Sequence, residues 1–272
     1  EAVLSRLAEE AHGSAAIYFA DLIKGNVGFS ATRNEARRYL IPIIQAMQAH
    51  DYRATSGTRG VHLCCFNGSV NEYIGPLYSR RDETSLRNVS DFIDLTRSII
   101  AAFEPIALRR LPPESLRFIS SVIYELFSNT HDHARSDEQS NPYPDGNIRG
   151  IIARTLEYRA DSKESHINTH LSRYIAMATA KKRKYAVPPE INKERVAEVH
   201  AGRAKAPSER TTASKSTRFL ELTIYDTGPG LARRWATQRL NQASQQFSFQ
   251  DELEFVSACF EIGNTTKSIN GV

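Results

Sequence analysis

A chain of 272 residues, 40% apolar and 24% charged, can bury a sizeable core as one large domain or two modest ones. Its net charge of +4 is too mild to declare a nucleic-acid binder, and it contains no stretch of 18 or more apolar residues that could span a membrane. The cysteines Cys64, Cys65 and Cys259 are odd in number and lack metal spacing, so a reducing, cytoplasmic setting is expected. No signal-peptide pattern follows Glu1, and the missing initiator Met points to a processed or trimmed chain.

Residues 1 to about 50 read as helical. Leu40, Ile43, Ile44 and Met47 recur at helical spacing, with Pro42 expected to break or kink the run. Gly57 and Gly60 bracket a loop, and Val61 to Phe66 reads as a short strand in which Cys64 and Cys65 are small buried hydrophobes. A second strand is possible at Glu72 to Tyr78. Val89 to Phe103 is a helix with Phe92, Leu95, Ile99 and Ile100 on one face. Leu111-Pro-Pro113-Glu114 starts another, because Pro is tolerated in a first turn and Glu suits the positive end of the dipole. That helix should reach about His133.

Ser136 to Gly146 is polar and proline-rich, so it is a loop, and Ile148 to Tyr158 looks like a strand. From about 160 to 217 the character changes to basic and polar, which marks an insertion. Its lysines and arginines offer a possible nucleic-acid contact, but interleaved acids favour a solvated surface instead. Arg218 to Tyr225 returns to strand, and helices follow at Leu231 to Asn241 and Phe249 to Ile262.

Three stretches carry chemistry. On the helix from Pro113, the apolar stripe is expected to be Ile119, Val122, Ile123, Leu126 and Thr130, with Glu125, Asn129, Asp132 and His133 in a polar row bordering the buried face. Alone, that row is most simply the solvated edge of an amphipathic helix. Asp226-Thr227-Gly228-Pro-Gly230 closes a strand; alone it is an ordinary Asp-initiated turn. Gly263-Asn-Thr265-Thr266-Lys267 leads to Gly271 at the end of the chain.

In their order and chemistry the three together resemble the GHKL ATPase superfamily of gyrase-type topoisomerases, heat-shock chaperone ATPases, histidine kinases and MutL-type repair proteins. The resemblance implies a two-layer α/β sandwich, the Bergerat ATP-binding fold, with helices on one face of a mixed sheet. Residues 1–55 would form a helical region ahead of it. Residues 56–272 would form the ATP-binding domain, incomplete at its C-terminus, with the insertion at about 160–217 lengthening the usual spacing between boxes.

The resemblance also implies site roles. Asn129 would hold Mg²⁺ through its amide oxygen, since that ion takes oxygen ligands. Glu125 would activate the attacking water. Asp132 and His133 match supporting positions of the same box, and Thr130 stands where the family usually has Ala. Asp226 would accept a hydrogen bond from the adenine amino group, with Thr227 adding a hydroxyl and Gly228 and Gly230 letting backbone approach the nucleotide. Thr265, Thr266, Lys267 and Gly271 resemble the approach to the phosphate-clasping box.

The resulting expectation is an Mg-ATP-binding ATPase module that hydrolyses ATP or switches conformation within a larger protein, with other domains, subunits or an ATP-dependent dimer as partners. A histidine or serine protein kinase domain is the alternative. His50-Asp51 is the local phosphoacceptor candidate, although it lacks the downstream Pro. A non-catalytic interaction or nucleic-acid module is a further alternative. His131 and His133 invite zinc, but residues two apart on a helix do not face one another. No P-loop or dinucleotide-binding turn is present.

Overall fold

A computed structural model describes residues 2–25, 28–57, 60–67, 69, 72–79, 85–143, 146–158, 177, 217–240 and 247–259. The chain divides into two compact units, one comprising Glu1–Thr155 with Leu220–Val272, the other Leu156–Phe219. Of the second unit, the described residues are the strand ends that enter it and Met177. The basic stretch expected as an insertion otherwise lies outside the described residues.

The first unit opens with helices α1 (Ala2–Ala8) and α2 (Ala11–Phe19). A small antiparallel hairpin follows, β1 (Leu22–Lys24) with β2 (Ser30–Thr32). It interrupts the region read as helical, and Gly28 at φ 69° supplies the reversal that a side chain would strain. Helix α3 (Arg33–Arg37) begins in a capping box. Thr32 Oγ1 accepts from the Glu35 N–H, and the Glu35 side chain reaches back to the Thr32 N–H. Helix α4 spans Leu40–Gln48. The helical run is broken at residues 38–39, between α3 and α4, as expected of Pro42, which has no N–H to offer the Arg38 carbonyl and itself lies in the first turn of α4.

The main sheet has the order β3 (Ser56–Gly57), β4 (Gly60–Phe66), β5 (Ile148–Tyr158), β6 (Thr217–Asp226). Gly57 pairs with Gly60, so the expected loop is a tight hairpin. Strands β3, β4 and β5 pair antiparallel. Contacts between β5 and β6 also run in opposite directions, from Ile148 with Thr227 to Arg154 with Glu221. The described sheet is therefore antiparallel, where a mixed one was expected.

Strand β4 is buried on both faces. One face meets α2, where Tyr18 lies 4.7 Å from Phe66 and His62 Nε2 sits 3.5 Å from Ser14 Oγ. The other carries Val61, Leu63 and Cys65 beside Ala153, Ile151 and Arg149, their cross-strand partners. The short β3 leaves part of β4's edge open, and Met47 Sδ covers it by accepting from the Cys64 N–H at 3.5 Å.

Helix α5 (Val89–Phe103) starts where Asn88 and Asp91 form a second capping box. It buries Phe92, Leu95, Thr96, Ile99 and Ile100 and packs along α7 (Pro113–His133). A short helix not expected from the sequence, α6 (Pro105–Arg110), joins them. Glu72 to Tyr78 is a series of turns with one isolated bridge from Tyr78 to Leu86, not a strand. Gly75-Pro76 breaks the alternation, and Glu72 is drawn inward by two guanidinium groups. After β6 come α8 (Leu231–Leu240) and α9 (Phe249–Cys259), stacked through Trp235 and Phe255 at 5.6 Å. The described chain is an α/β fold, and none of its helices is long and apolar enough to cross a membrane.

Candidate functional site

Helix α7 buries Ile123 and Thr130 of the expected stripe and packs Ile119 against the core, but not Val122 or Leu126. The buried positions are Leu116, Ser120, Ile123, Phe127 and Thr130, whereas Val122 and Leu126 are exposed at 41% and 44%. Two hydroxyls lie on the buried line. Ser120 donates to the Leu116 carbonyl at 2.7 Å and Thr130 to the Phe127 carbonyl at 2.8 Å. Each polar group is satisfied within the helix, so it can be buried without penalty.

The same line sets the place of the polar row. Glu125 lies two residues from both Ile123 and Phe127, roughly half a turn from the core line at 3.6 residues per turn. Glu125, Asn129 and Asp132 are exposed and His133 is partly buried. The row therefore faces away from the core instead of bordering it. Glu125 and Asn129 make no side-chain hydrogen bond among the described residues.

Strand β6 ends at Asp226, where the turn is built by three local interactions. Asp226 Oδ1 accepts from the Gly228 N–H at 3.0 Å. Thr227 closes the sheet: its N–H donates to the Ile148 carbonyl at 2.9 Å, and its Oγ1 accepts from the Ile148 N–H at 3.0 Å. That hydroxyl, expected to face a ligand, is occupied by the β5 backbone. Gly230, at φ 82° and with open space where a Cβ would lie, hands the chain to α8. Its carbonyl accepts from the Arg234 N–H at 3.2 Å.

Gly228 determines where this turn sits. A Cβ there would fall 2.6 Å from the Ala134 Cα and 2.8 Å from its Cβ. Ala134 is the residue that ends α7. The Asp226 turn thus rests directly on the C-terminal end of the helix that carries Glu125 and Asn129. Two further bonds fix the junction. Asn147 Nδ2 donates to the Ala134 carbonyl, and Arg234 Nη2 donates to Ser136 Oγ at 2.7 Å. Arg234 is 4% exposed, and its burial lowers the guanidinium's affinity for its proton.

An ionic cluster lies beneath. Glu72 Oε1 receives Arg135 Nε at 3.1 Å and Arg149 Nη2 at 3.5 Å. Tyr78 Oη accepts from Arg149 Nη2 at 2.8 Å and lies 3.1 Å from His131 Nδ1. Arg135 Nη2 donates to Tyr73 Oη at 2.6 Å. Burial drives the His131 pKa down to about 4, helped by the charges of Arg135 and Arg149. His131 is thus a neutral partner of Tyr78 at the end of α7. Asp226 responds differently. Loss of water around its carboxyl raises its pKa, while the Gly228 N–H and the Arg149 charge pull it back down.

The structure sets Gly228, two residues past Asp226, against Ala134, the residue that follows His133 at the end of α7. It sets Asn129 and Glu125 progressively farther along the same helix. Thr265, Thr266, Lys267 and Gly271 lie outside the described residues. Among the described residues no group of three or more His, Cys, Asp or Glu could hold a metal. His50 follows α4 at φ 60° with its Nδ1 3.3 Å from Tyr52 Oη. Glu72, Asn147, Arg149 and Arg234 were not among the residues expected at the site. Each is an isolated polar letter in the sequence, and only folding brings it to this junction. Set against known protein families, curated proteins and solved structures, the chain matches none.

Proposed function

We propose that this chain is an Mg-ATP-binding module of the GHKL type, built on a Bergerat-like arrangement in which α5 and α7 back the sheet. The observation that carries the reading is the seating of Gly228 on Ala134. It supports the reading by bringing the turn that follows Asp226 to the end of the helix whose outer face carries Asn129 and Glu125. At 1.5 Å of rise per residue, Asn129 lies about 7.5 Å and Glu125 about 13.5 Å back along α7 from that contact. The order along the helix is the order of a nucleotide: base acceptor, then metal ligand, then water activator.

The donor set fits the groups it would hold. Asn129 offers a neutral amide oxygen and Glu125 a carboxylate, both solvent-accessible and without side-chain partners among the described residues. Such hard oxygen donors suit Mg²⁺, which keeps several waters and takes other ligands from phosphate. The ion would supply charge neutralisation at the triphosphate. Asp226, ionised, accepts from an exocyclic amino group. Glu125 takes a proton from water at its carboxylate oxygen. Gly228 removes the side chain that would otherwise push the turn off α7.

Titration with labelled ATP and Mg²⁺ tests the proposal. Asp226→Asn should abolish binding, because the amide exchanges the charged acceptor for one neutral oxygen and a donor that opposes the amino group. Glu125→Ala should retain binding and stop turnover. Equal loss of binding in both variants would contradict the division of roles, and no binding by the unsubstituted chain would remove the reading.

A further inference from the structure

Strands β5 and β6 are held in register by Ile148 with Thr227 and by the ion pair of Arg154 with Glu221 at 2.7 Å. Between these anchors Gly150 faces Tyr225, whose hydroxyl would lie 2.7 Å from a Cβ on Gly150. The same register sets Arg149 directly opposite Asp226. Directly opposed residues share a sheet face, with Cβ atoms about 4.5–5.5 Å apart.

Arg149 is an unusual neighbour. Its side chain is fully buried at 0% exposure. Nε and Nη2 both donate to Tyr78 Oη, at 3.1 and 2.8 Å, and Nη2 also lies 3.5 Å from Glu72. Nη1 is buried with no partner. Glu72 is shared with Arg135, so one carboxylate stands against two guanidinium groups. A buried charge left partly uncompensated acts strongly on whatever ionisable group is near.

From this juxtaposition we infer that Arg149 is a positioning residue for Asp226, holding it ionised and therefore able to accept a hydrogen bond from the amino group of a purine. The inference rests on the nucleotide reading above. Among the described residues three groups act on Asp226. The Gly228 N–H supports the charged form from the turn. Tyr143, on the loop after α7, is near enough for Asp226 to oppose ionisation of its phenol. Arg149 acts from β5, with Glu72 and Arg135 behind it. Of these only Arg149 brings a full positive charge across the strand pair.

The test follows the Asp226 carboxyl by ¹³C NMR in aspartate-labelled protein, assigned with Asp226→Asn, alongside ATP titrations at about pH 4.5 and 8. Arg149→Met should raise the carboxyl midpoint by about one pH unit or more. It should also weaken ATP binding several-fold more at the lower pH than at the higher. Arg149→Lys, which restores the charge without the fork, should recover most of both. Glu72→Gln leaves Arg149 less neutralised and should move the midpoint the opposite way. That sign reversal keeps the test decisive if the methionine variant fails to fold, because mere loosening would not produce it. Unchanged midpoints, or weakening of ATP binding by one factor at every pH, would overturn the inference. Shifted midpoints in a protein that never binds ATP would instead overturn the nucleotide reading and keep the Arg149–Asp226 coupling.

Discussion

Gly228 lies against Ala134 so closely that a single added methyl would reach 2.6 Å from the Ala134 Cα. Gly228→Ala must push the β6 turn away from α7, and overpacking of this kind costs about 1–3 kcal/mol. Urea unfolding should show that loss. Ala134→Gly in the same chain should recover only part of it, since the Cα clash remains. Gly230→Ala is the contrast. Its Cβ meets nothing within 4 Å, so its effect is the backbone strain of φ 82° alone, about 1 kcal/mol. Equal destabilisation by the two alanines would mean that the contact with Ala134 does not fix the turn.

The two faces of α7 give a second prediction. Phe127 is fully buried, 6.3 Å from the Tyr78 ring and 6.4 Å from Phe92. Phe127→Ala should cost about 3–5 kcal/mol. Leu126, next to it in sequence and 44% exposed, should lose less than about 1 kcal/mol as Leu126→Ala. Chemical denaturation of the pair decides between the observed face and the one its apolar letters suggest.

That contrast shows what was readable in the chain and what was not. The bounds of α5 and α7 and the start of β5 were legible because local chemistry sets them. Asn88 caps α5 with Asp91, and Pro113 opens α7. The face of α7 was only partly legible, because Ser120 looks polar until its hydroxyl is seen bonding to its own helix, and with it Leu116 and Phe127 take the core line in place of Val122 and Leu126. The Glu125–Asn129 row and the Asp226 turn could be read as letters. Their joining point could not, since Ala134 carries no functional group and its contact with Gly228 arises from tertiary packing. Arg149 was hidden for a related reason: an arginine in a strand reads as solvent-facing, and only Glu72 and Tyr78, brought from a distant turn, make its burial tolerable.

Glu72 is therefore expected to matter for stability well beyond its one side chain. Glu72→Ala leaves Arg149, fully buried, without its carboxylate and Arg135 without its partner. Removing one member of a buried pair costs about 3–5 kcal/mol, mostly from the charge left behind. Adding Arg149→Met to Glu72→Ala should return part of that loss, since the stranded charge is gone too. A double-mutant cycle by denaturant melts measures the coupling. If the double variant were as unstable as the sum of the singles, the two residues would not form an energetic unit.

Acid should loosen this fold through its buried histidines. His62, 2% exposed beside Ser14, is held neutral because burial drives its pKa from 6.5 down to about 4. His131 is shifted to the same value by burial and by Arg135 and Arg149. In the unfolded chain both imidazoles bind protons below about pH 6.5. In the folded chain they resist until about pH 4. Within that window the unfolded state holds more protons, so stability is full above about 6.5 and falls as pH drops toward 4. For His62 the whole effect is roughly 3 kcal/mol at most. Urea midpoints at about pH 7.5, 5.5 and 4.5 should decline in the unsubstituted chain. His62→Gln should lower the midpoint at neutral pH yet flatten the decline, separating imidazole protonation from that of carboxylates. An undiminished slope in that variant would show that His62 is not kept neutral by its surroundings.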